Sequence, residues 1–169
     1  MNIFKNKNFS IVWAIIRVWL GYQWFMAGYD KFHEANWMNG TALKGFLSRA
    51  AGLIPNTPAA AHYGWYQSFT ASLVNSGAYT WFAPFVAVGE LLVGIALILG
   101  IFTSFAAVMG AFMNLNYMLA GSTSTNPVMY TFEILLLLAG LNAGLIGLDY
   151  FVIPYLRKLF GRQAKSEAA

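Results

Sequence analysis

Four long apolar stretches, set apart by turns and one long mixed segment, give the chain its pattern. The first runs from Phe9 to about Gly28 and has the length of one membrane crossing, about 20 residues. Every third or fourth residue from Ala14 draws a single helix face: Ala14, Arg17, Gly21, Trp24, Gly28 and Lys31. Small residues on such a face admit a neighbouring helix at close range. The other members are two cations and an indole, so this face both packs and carries polar groups. A charged side chain at membrane depth costs about 2.5–3.5 kcal/mol on insertion scales. Arg17 is therefore expected to face the protein interior and to have a partner. Further apolar helices are predicted over about 81–101, 104–121 and 128–148. They carry Glu90 in the second, Asn114, Asn116 and Tyr117 in the third, and Glu133 and Asn142 in the fourth.

The connection over 29–80 is too polar to span and too apolar to be disordered. Thr41 to Leu53 places Leu43, Phe46, Leu47 and Ala50 on one side. Thr57-Pro58 reads as a helix start, a cap followed by proline at the first helical position. The aromatics that follow (Tyr63, Trp65, Tyr66, Phe69) suit the headgroup level of a bilayer. The expected fold is thus all-α: an integral membrane four-helix bundle, one domain over 1–169, with an amphipathic extracellular cap between helices 1 and 2. A basic cytoplasmic tail is expected over 155–169.

Composition sharpens this picture. The 169 residues are 59% hydrophobic and 9% charged, against about a quarter charged in a soluble domain, and the mean hydropathy is +0.56. The net charge of +4 sits at helix edges rather than in a stripe, so nucleic acid is not an expected partner. The chain has no cysteine, which excludes disulfides, thiolate metal sites and cysteine-ligated iron–sulfur clusters within it. Its two histidines, His33 and His62, both fall in the outer loop, so no bis-histidine haem is expected, nor a flavin or metal site. Lys5 and Lys7 precede an apolar run, as in a signal peptide. Arg17 within the run and the lack of a small-residue cleavage site favour a retained first helix. Lysine and arginine placement (Lys5, Lys7, Arg157, Lys158, Arg162, Lys165 at the ends) puts both termini in the cytoplasm of a multi-pass plasma-membrane protein.

Helix rise is about 1.5 Å per residue, so depth can be counted. Counting from the helix ends puts Arg17 about 12 Å and Glu90 about 16 Å above the inner edge, which predicts an Arg17–Glu90 ion pair. Arg17, Glu90 and Glu133 are the candidate catalytic residues. Lys31, Trp24, Asn114, Asn116, Tyr117 and Trp37 are the candidate binding residues. Each also has a structural reading: snorkelling for Lys31, belt or packing for the tryptophans, interhelical bonding for the asparagines.

Taken with their order, RVWLGYQWFMAGYDKF in helix 1, GELLVGIALILGIFTSFAAVMGAFMNLNYMLAGSTSTNP across helices 2 and 3, and AGLNAGLIGLDYFVIPYL in and after helix 4 resemble the DoxX/DoxD family of small membrane proteins. The similarity is to its single-chain Gram-positive type. The resemblance implies a thiosulfate:quinone oxidoreductase subunit, which with a DoxA-like chain oxidises thiosulfate to tetrathionate and reduces quinone. No DoxA-like domain follows helix 4 here, so a separate partner is expected. Other relatives are linked to redox-stress complexes.

The expected function is accordingly a quinone-linked membrane oxidoreductase subunit. A menaquinone-type quinone would be the diffusible acceptor, and a small anionic substrate would be drawn by Arg17 and Lys31. The alternatives are a non-catalytic membrane scaffold for a redox partner enzyme and, ranked last, a small-molecule or proton pathway. The glycine-bearing faces would also permit a homo-oligomer.

Overall fold

The computed structural model describes Phe4 and residues 9–166, without side-chain detail for residue 157 and residues 159–166. Lys5 and Lys7, and the side chains of Arg157, Arg162 and Lys165, lie outside the described residues. All regular structure within those residues is helical.

Helix α1 (Ser10–His33) runs past Gly28 without a break, because no breaker intervenes and Lys31 and His33 suit the negative end of the helix dipole. It packs along α5 (Tyr79–Leu99) over its length. Glycines set their register. A β-carbon on Gly21 would meet Ile98 N at 2.8 Å, one on Gly28 would meet Leu91 N at 2.7 Å, and one on Gly94 would meet Phe25 N at 2.5 Å. The two helices are therefore antiparallel and touch backbone to backbone, as small residues allow. Helix α6 (Thr103–Leu119) packs on α5 and on α7 (Asn126–Ala139), and α7 closes back on α1. Trp13, Leu20, Trp24, Val93, Leu97, Ala107, Met129 and Leu136 fill the centre of this ring of four. Outside it, Ile15, Phe85, Leu92, Phe105 and Phe112 are exposed, an apolar surface of the kind that meets a membrane or a partner. Among the described residues α5 is the helix both long and apolar enough to cross a membrane; α7 is apolar but has 14 residues.

The fourth helix does not continue to Leu148 as predicted. It stops at Ala139, and Gly140 takes φ 55°, ψ −126°, a conformation in which glycine alone is comfortable. The sequence stays apolar through the break, so hydropathy carries no trace of it. A single turn, α8 (Leu141–Gly144), follows. Leu148 N and Asp149 N then bond the carbonyls of Leu99 and Gly100 at 3.1 and 2.7 Å. The tail is a helix from its first residue, α9 (Asp149–Ser166).

The segment between α1 and α5 forms the cap. It contains α2 (Ala35–Met38), α3 (Thr41–Ala51) and α4 (Gly64–Asn75). Helix α3 buries Leu43, Leu47 and Ala50, the face its periodicity marks. The predicted start at Thr57-Pro58 is not used; α4 begins at Gly64. Residues 57–63 serve instead to close the end of α3, with Ala60 N and Ala61 N bonding the carbonyls of Arg49 and Ala50 at 3.0 and 3.2 Å. Carbonyls at a helix C-terminus lack intrahelical donors, so these bonds hold the loop extended where a helix would otherwise begin.

Candidate functional site

The face read from helix 1 is buried at Arg17, Gly21, Trp24 and Gly28, and Lys31 is half-buried at its end. The expected partner of Arg17 is not the one found. Glu90 is fully buried and is bonded by Lys31, whose Nζ donates to Oε1 at 2.9 Å and Oε2 at 2.7 Å. Arg17 instead donates Nη1 to the Leu97 carbonyl at 3.0 Å and Nη2 to the Ile146 carbonyl at 2.5 Å. Counting depth from helix ends put Arg17 too high. The glycine contacts slide α1 along α5 until Arg17 lies beside Gly100, at the end of α5, where a β-carbon would strike the guanidinium. Asp149 begins α9 at this same point, its backbone N–H on the Gly100 carbonyl at 2.7 Å. Its carboxylate is committed to the first turn of α6, accepting Phe102 N at 2.7 Å and Thr103 N at 2.9 Å.

At the opposite end of the α1–α5 pair, three elements converge. Tyr117 on α6 donates its hydroxyl to Glu90 Oε1 at 2.5 Å, a short bond of the kind made to a charged acceptor. The Lys31 ammonium lies over the rings of Trp37 and Tyr117, 5.0 and 5.6 Å from their centroids, within cation–π range. Trp37 is itself fixed by its indole N–H donating to the Ala83 carbonyl at 2.9 Å. From the cap, Phe46 sets its edge against Tyr117 with centroids 6.2 Å apart. Lys31–Glu90 is the ion pair among the described residues.

A second cluster adjoins the first. Glu133 on α7 is fully buried and is bonded by neutral donors: Trp24 Nε1 at 2.7 Å, and Asn114 Nδ2 at 3.0 and 2.9 Å to its two oxygens. Gly110 makes room for it, since a β-carbon there would lie 2.6 Å from Oε1. The side-chain oxygen of Asn114 is buried without a donor. Trp24 joins the clusters, because it also lines a partly open cavity of about 150 Å³ together with Lys31, Glu90 and Tyr117. Gln23, Ala27, Thr125, Asn126 and Met129 complete the walls. Asn116 lies apart from this cavity and accepts the Tyr66 hydroxyl of α4, through its backbone carbonyl at 3.0 Å and its side-chain oxygen at 3.2 Å.

The arrangement thus gathers Lys31, Glu90, Tyr117 and Trp24 at one cavity, with Trp37 packed on Lys31 and with Glu133, held by Asn114, bonded to Trp24. It separates Arg17 and Asn116 from both. Sequence reasoning passed over Gln23, Thr125, Asn126 and Met129. The signal available for Asn126 was its place before Pro127 at the first turn of α7, which turns a small polar loop inward. Chemically the cavity offers a fixed ammonium and a phenol hydroxyl, each bonded to one carboxylate, with the Trp24 and Tyr117 rings in its walls. Among the described residues no group of three metal-ligating side chains occurs.

The family model for DoxX matches residues 12–122. That span covers α1, the cap, α5 and α6, and so includes Arg17, Lys31, Glu90 and Tyr117 but not Glu133. No curated protein matches the chain, and no solved structure does. With two thirds of its length under that model, the chain belongs to the DoxX family of membrane proteins.

Proposed function

We propose that this protein is the quinone-linked subunit of a membrane oxidoreductase. In this reading the bundle of α1, α5, α6 and α7 is embedded in the plasma membrane, with α8 completing the short crossing of α7, both termini face the cytoplasm, and the cap covers the outer end of the bundle. The observation that carries the reading is the Lys31–Glu90–Tyr117 group facing a partly open cavity of about 150 Å³, a volume that holds one six-membered ring, so the carbonyl-bearing ring of a naphthoquinone would enter and its second ring would stand in the open side. A ligand with a flat ring and carbonyl acceptors suits a pocket whose walls are about as polar as apolar, with Trp24, Ala27 and Met129 to pack the ring and Lys31, Tyr117 and Asn126 to meet the acceptors. A quinone, when bound, supplies a two-electron, two-proton acceptor.

The chain's own residues have definite parts. The Lys31 ammonium has three donors; two go to Glu90, and the third is available to a carbonyl oxygen in the cavity. The Tyr117 hydroxyl, held by Glu90, is the nearest proton donor to the same space. Glu90 keeps both oriented, Trp37 steadies the Lys31 ammonium, and Trp24 and the Tyr117 ring supply the flat walls. Glu133 is a reserve proton acceptor that meets the cavity through Trp24. Arg17, with two donors spent on backbone carbonyls, becomes a structural lock rather than a catalytic group. A finer reading takes the electrons from a sulfur oxyanion: two thiosulfate dianions joined as tetrathionate release two electrons, which with two protons reduce one quinone. A DoxA-like or other partner would supply the site for that donor.

A second reading, a scaffold for a redox partner, is favoured by one fact: Lys31, Glu90 and Tyr117 satisfy one another without a ligand. The test is binding of a short-chain menaquinone analogue to the protein in nanodiscs, read by quenching of tryptophan fluorescence. Loss of one charge-assisted hydrogen bond is about 1.5–3 kcal/mol, so Lys31→Met/Glu90→Gln should weaken binding by tenfold or more. Equal affinity in this variant and the parent would sink the quinone site. No quenching in the parent, with a stoichiometric enzyme recovered on pull-down, would favour the scaffold. Quinone reduction on adding thiosulfate tests the finer reading alone.

A further inference from the structure

Helix α9 is not accounted for by the cavity, and its surface is unusual for a segment at the foot of a bundle. Tyr150, Phe151 and Tyr155 are exposed at 61%, 70% and 64%, while Val152, Ile153 and Leu156 are half-buried. Tyr150, Phe151, Pro154, Tyr155 and Lys158 are the exposed positions of its described part, and their spacing makes them one stripe of the helix. Arg162 and Lys165 follow Lys158 at intervals of four and three residues, the spacing that continues that stripe. Between Tyr150 and Ser166 the sequence has four cations (Arg157, Lys158, Arg162, Lys165) and no acidic residue. The first turn is clamped: Asp149 bonds the start of α6 through its side chain and the end of α5 through its backbone N–H. The helix therefore leaves the core at a fixed point, at the end of the bundle where Arg17 lies.

We infer that α9 lies along the adjacent leaflet and docks on anionic phospholipid. Its aromatic half would sit at the boundary of headgroups and acyl chains, and its cationic half among the phosphates. Three features select this occupant. The protein is a membrane protein, so a bilayer surface is beside the helix in any case. An aromatic stripe that no described residue covers is costly in water and favoured at the headgroup level. The charge of the segment, cations following aromatics along one stripe, is complementary to an anionic leaflet, which draws basic segments beside a membrane domain. A basic residue near such a surface is worth about 1 kcal/mol, or roughly fivefold in partitioning. Three of them multiply to about a hundredfold.

The absence of cysteine allows a clean probe. Ala164→Cys in the full chain, carrying an environment-sensitive fluorophore, is reconstituted in nanodiscs of phosphatidylcholine alone or mixed with phosphatidylglycerol. The proposal expects the label to be shielded from a water-soluble quencher, and the amides of α9 to exchange slowly, in the mixed discs only. High salt should reverse this by screening. Lys158→Gln/Arg162→Gln/Lys165→Gln should lose the shielding while the melting temperature of the bundle stays unchanged. Equal shielding in the two lipids, or shielding retained in the triple variant, would overturn the proposal. So would shielding in neither lipid until a protein fraction is added, which would assign the stripe to a protein partner.

Discussion

Replacing Lys31 by methionine removes the ammonium from Glu90 and keeps most of the apolar stem. The structure sets the size of the effect. Glu90 is wholly buried, and Lys31 approaches both of its oxygens, at 2.9 and 2.7 Å, with its own side chain 21% exposed. Breaking a buried ion pair by removing one partner costs about 3–5 kcal/mol, because a charge is left without compensation. The low end applies here, since the Tyr117 hydroxyl remains on Oε1 and the partly exposed position admits water. A loss of about 3 kcal/mol lowers the melting temperature of a chain this size by roughly 6–12 °C. The assay is thermal unfolding in nanodiscs followed by tryptophan fluorescence. Lys31→Met/Glu90→Gln removes both charges and should recover most of the loss, as replacing a whole buried pair costs far less than breaking it. A single variant within about 2 °C of the parent would refute the reasoning, for then Glu90 would not depend on Lys31.

Other variants test the frame around the site. Gly94→Ala places a β-carbon 2.5 Å from Phe25 N, and because backbone cannot yield as a side chain does, it should cost at least 1–3 kcal/mol, on the order of other overpacked cores, read as a lower melting temperature. Asp149→Ala strips two bonds from the first turn of α6; a loss of about 2 kcal/mol is expected, with faster amide exchange at Phe102 and Thr103. Burial pushes the Tyr66 hydroxyl up to about 12. Its neutral form is the folded one, so its contribution is fully present below about pH 10 and lost as pH rises towards 12. Exchange protection of α4 should therefore fall in that window and be insensitive to it in Tyr66→Phe.

The residues themselves explain what could be read beforehand. The inward face of α1 was legible because a helix repeats every 3.6 residues and Arg17, Gly21, Trp24, Gly28 and Lys31 keep that period. Which charge meets which was not, because depth counted from helix ends carries an error of a turn or more at each end. The glycine contacts hold the missing information: Gly21 and Gly28 fit against the Gly94 and Leu91 backbones in one register only, and that register gives Glu90 to Lys31. The break at Gly140 stayed hidden because Leu, Ala and Gly on either side read as one apolar run. Asp149 drew no notice, since its acceptors are filled by backbone N–H groups 46 and 47 residues away, a pairing no local pattern encodes. The cavity could be anticipated only in part. Thr125 and Asn126 belong to a polar loop, and only the packing of α7 against α1 turns them inward.

A quinone ring in the cavity beside Lys31, Glu90 and Tyr117 would be within reach of covalent capture. Photolabelling tests it most directly: an azido-quinone is added to the protein in nanodiscs, irradiated, and the adducts are mapped by peptide mass spectrometry. Adducts are expected on peptides containing Lys31, Tyr117 and Met129, displaced by an unlabelled menaquinone analogue and lost in Lys31→Met/Glu90→Gln. Labelling spread over lipid-facing residues such as Ile15, Phe85 and Phe112, undiminished by the competitor, would contradict it.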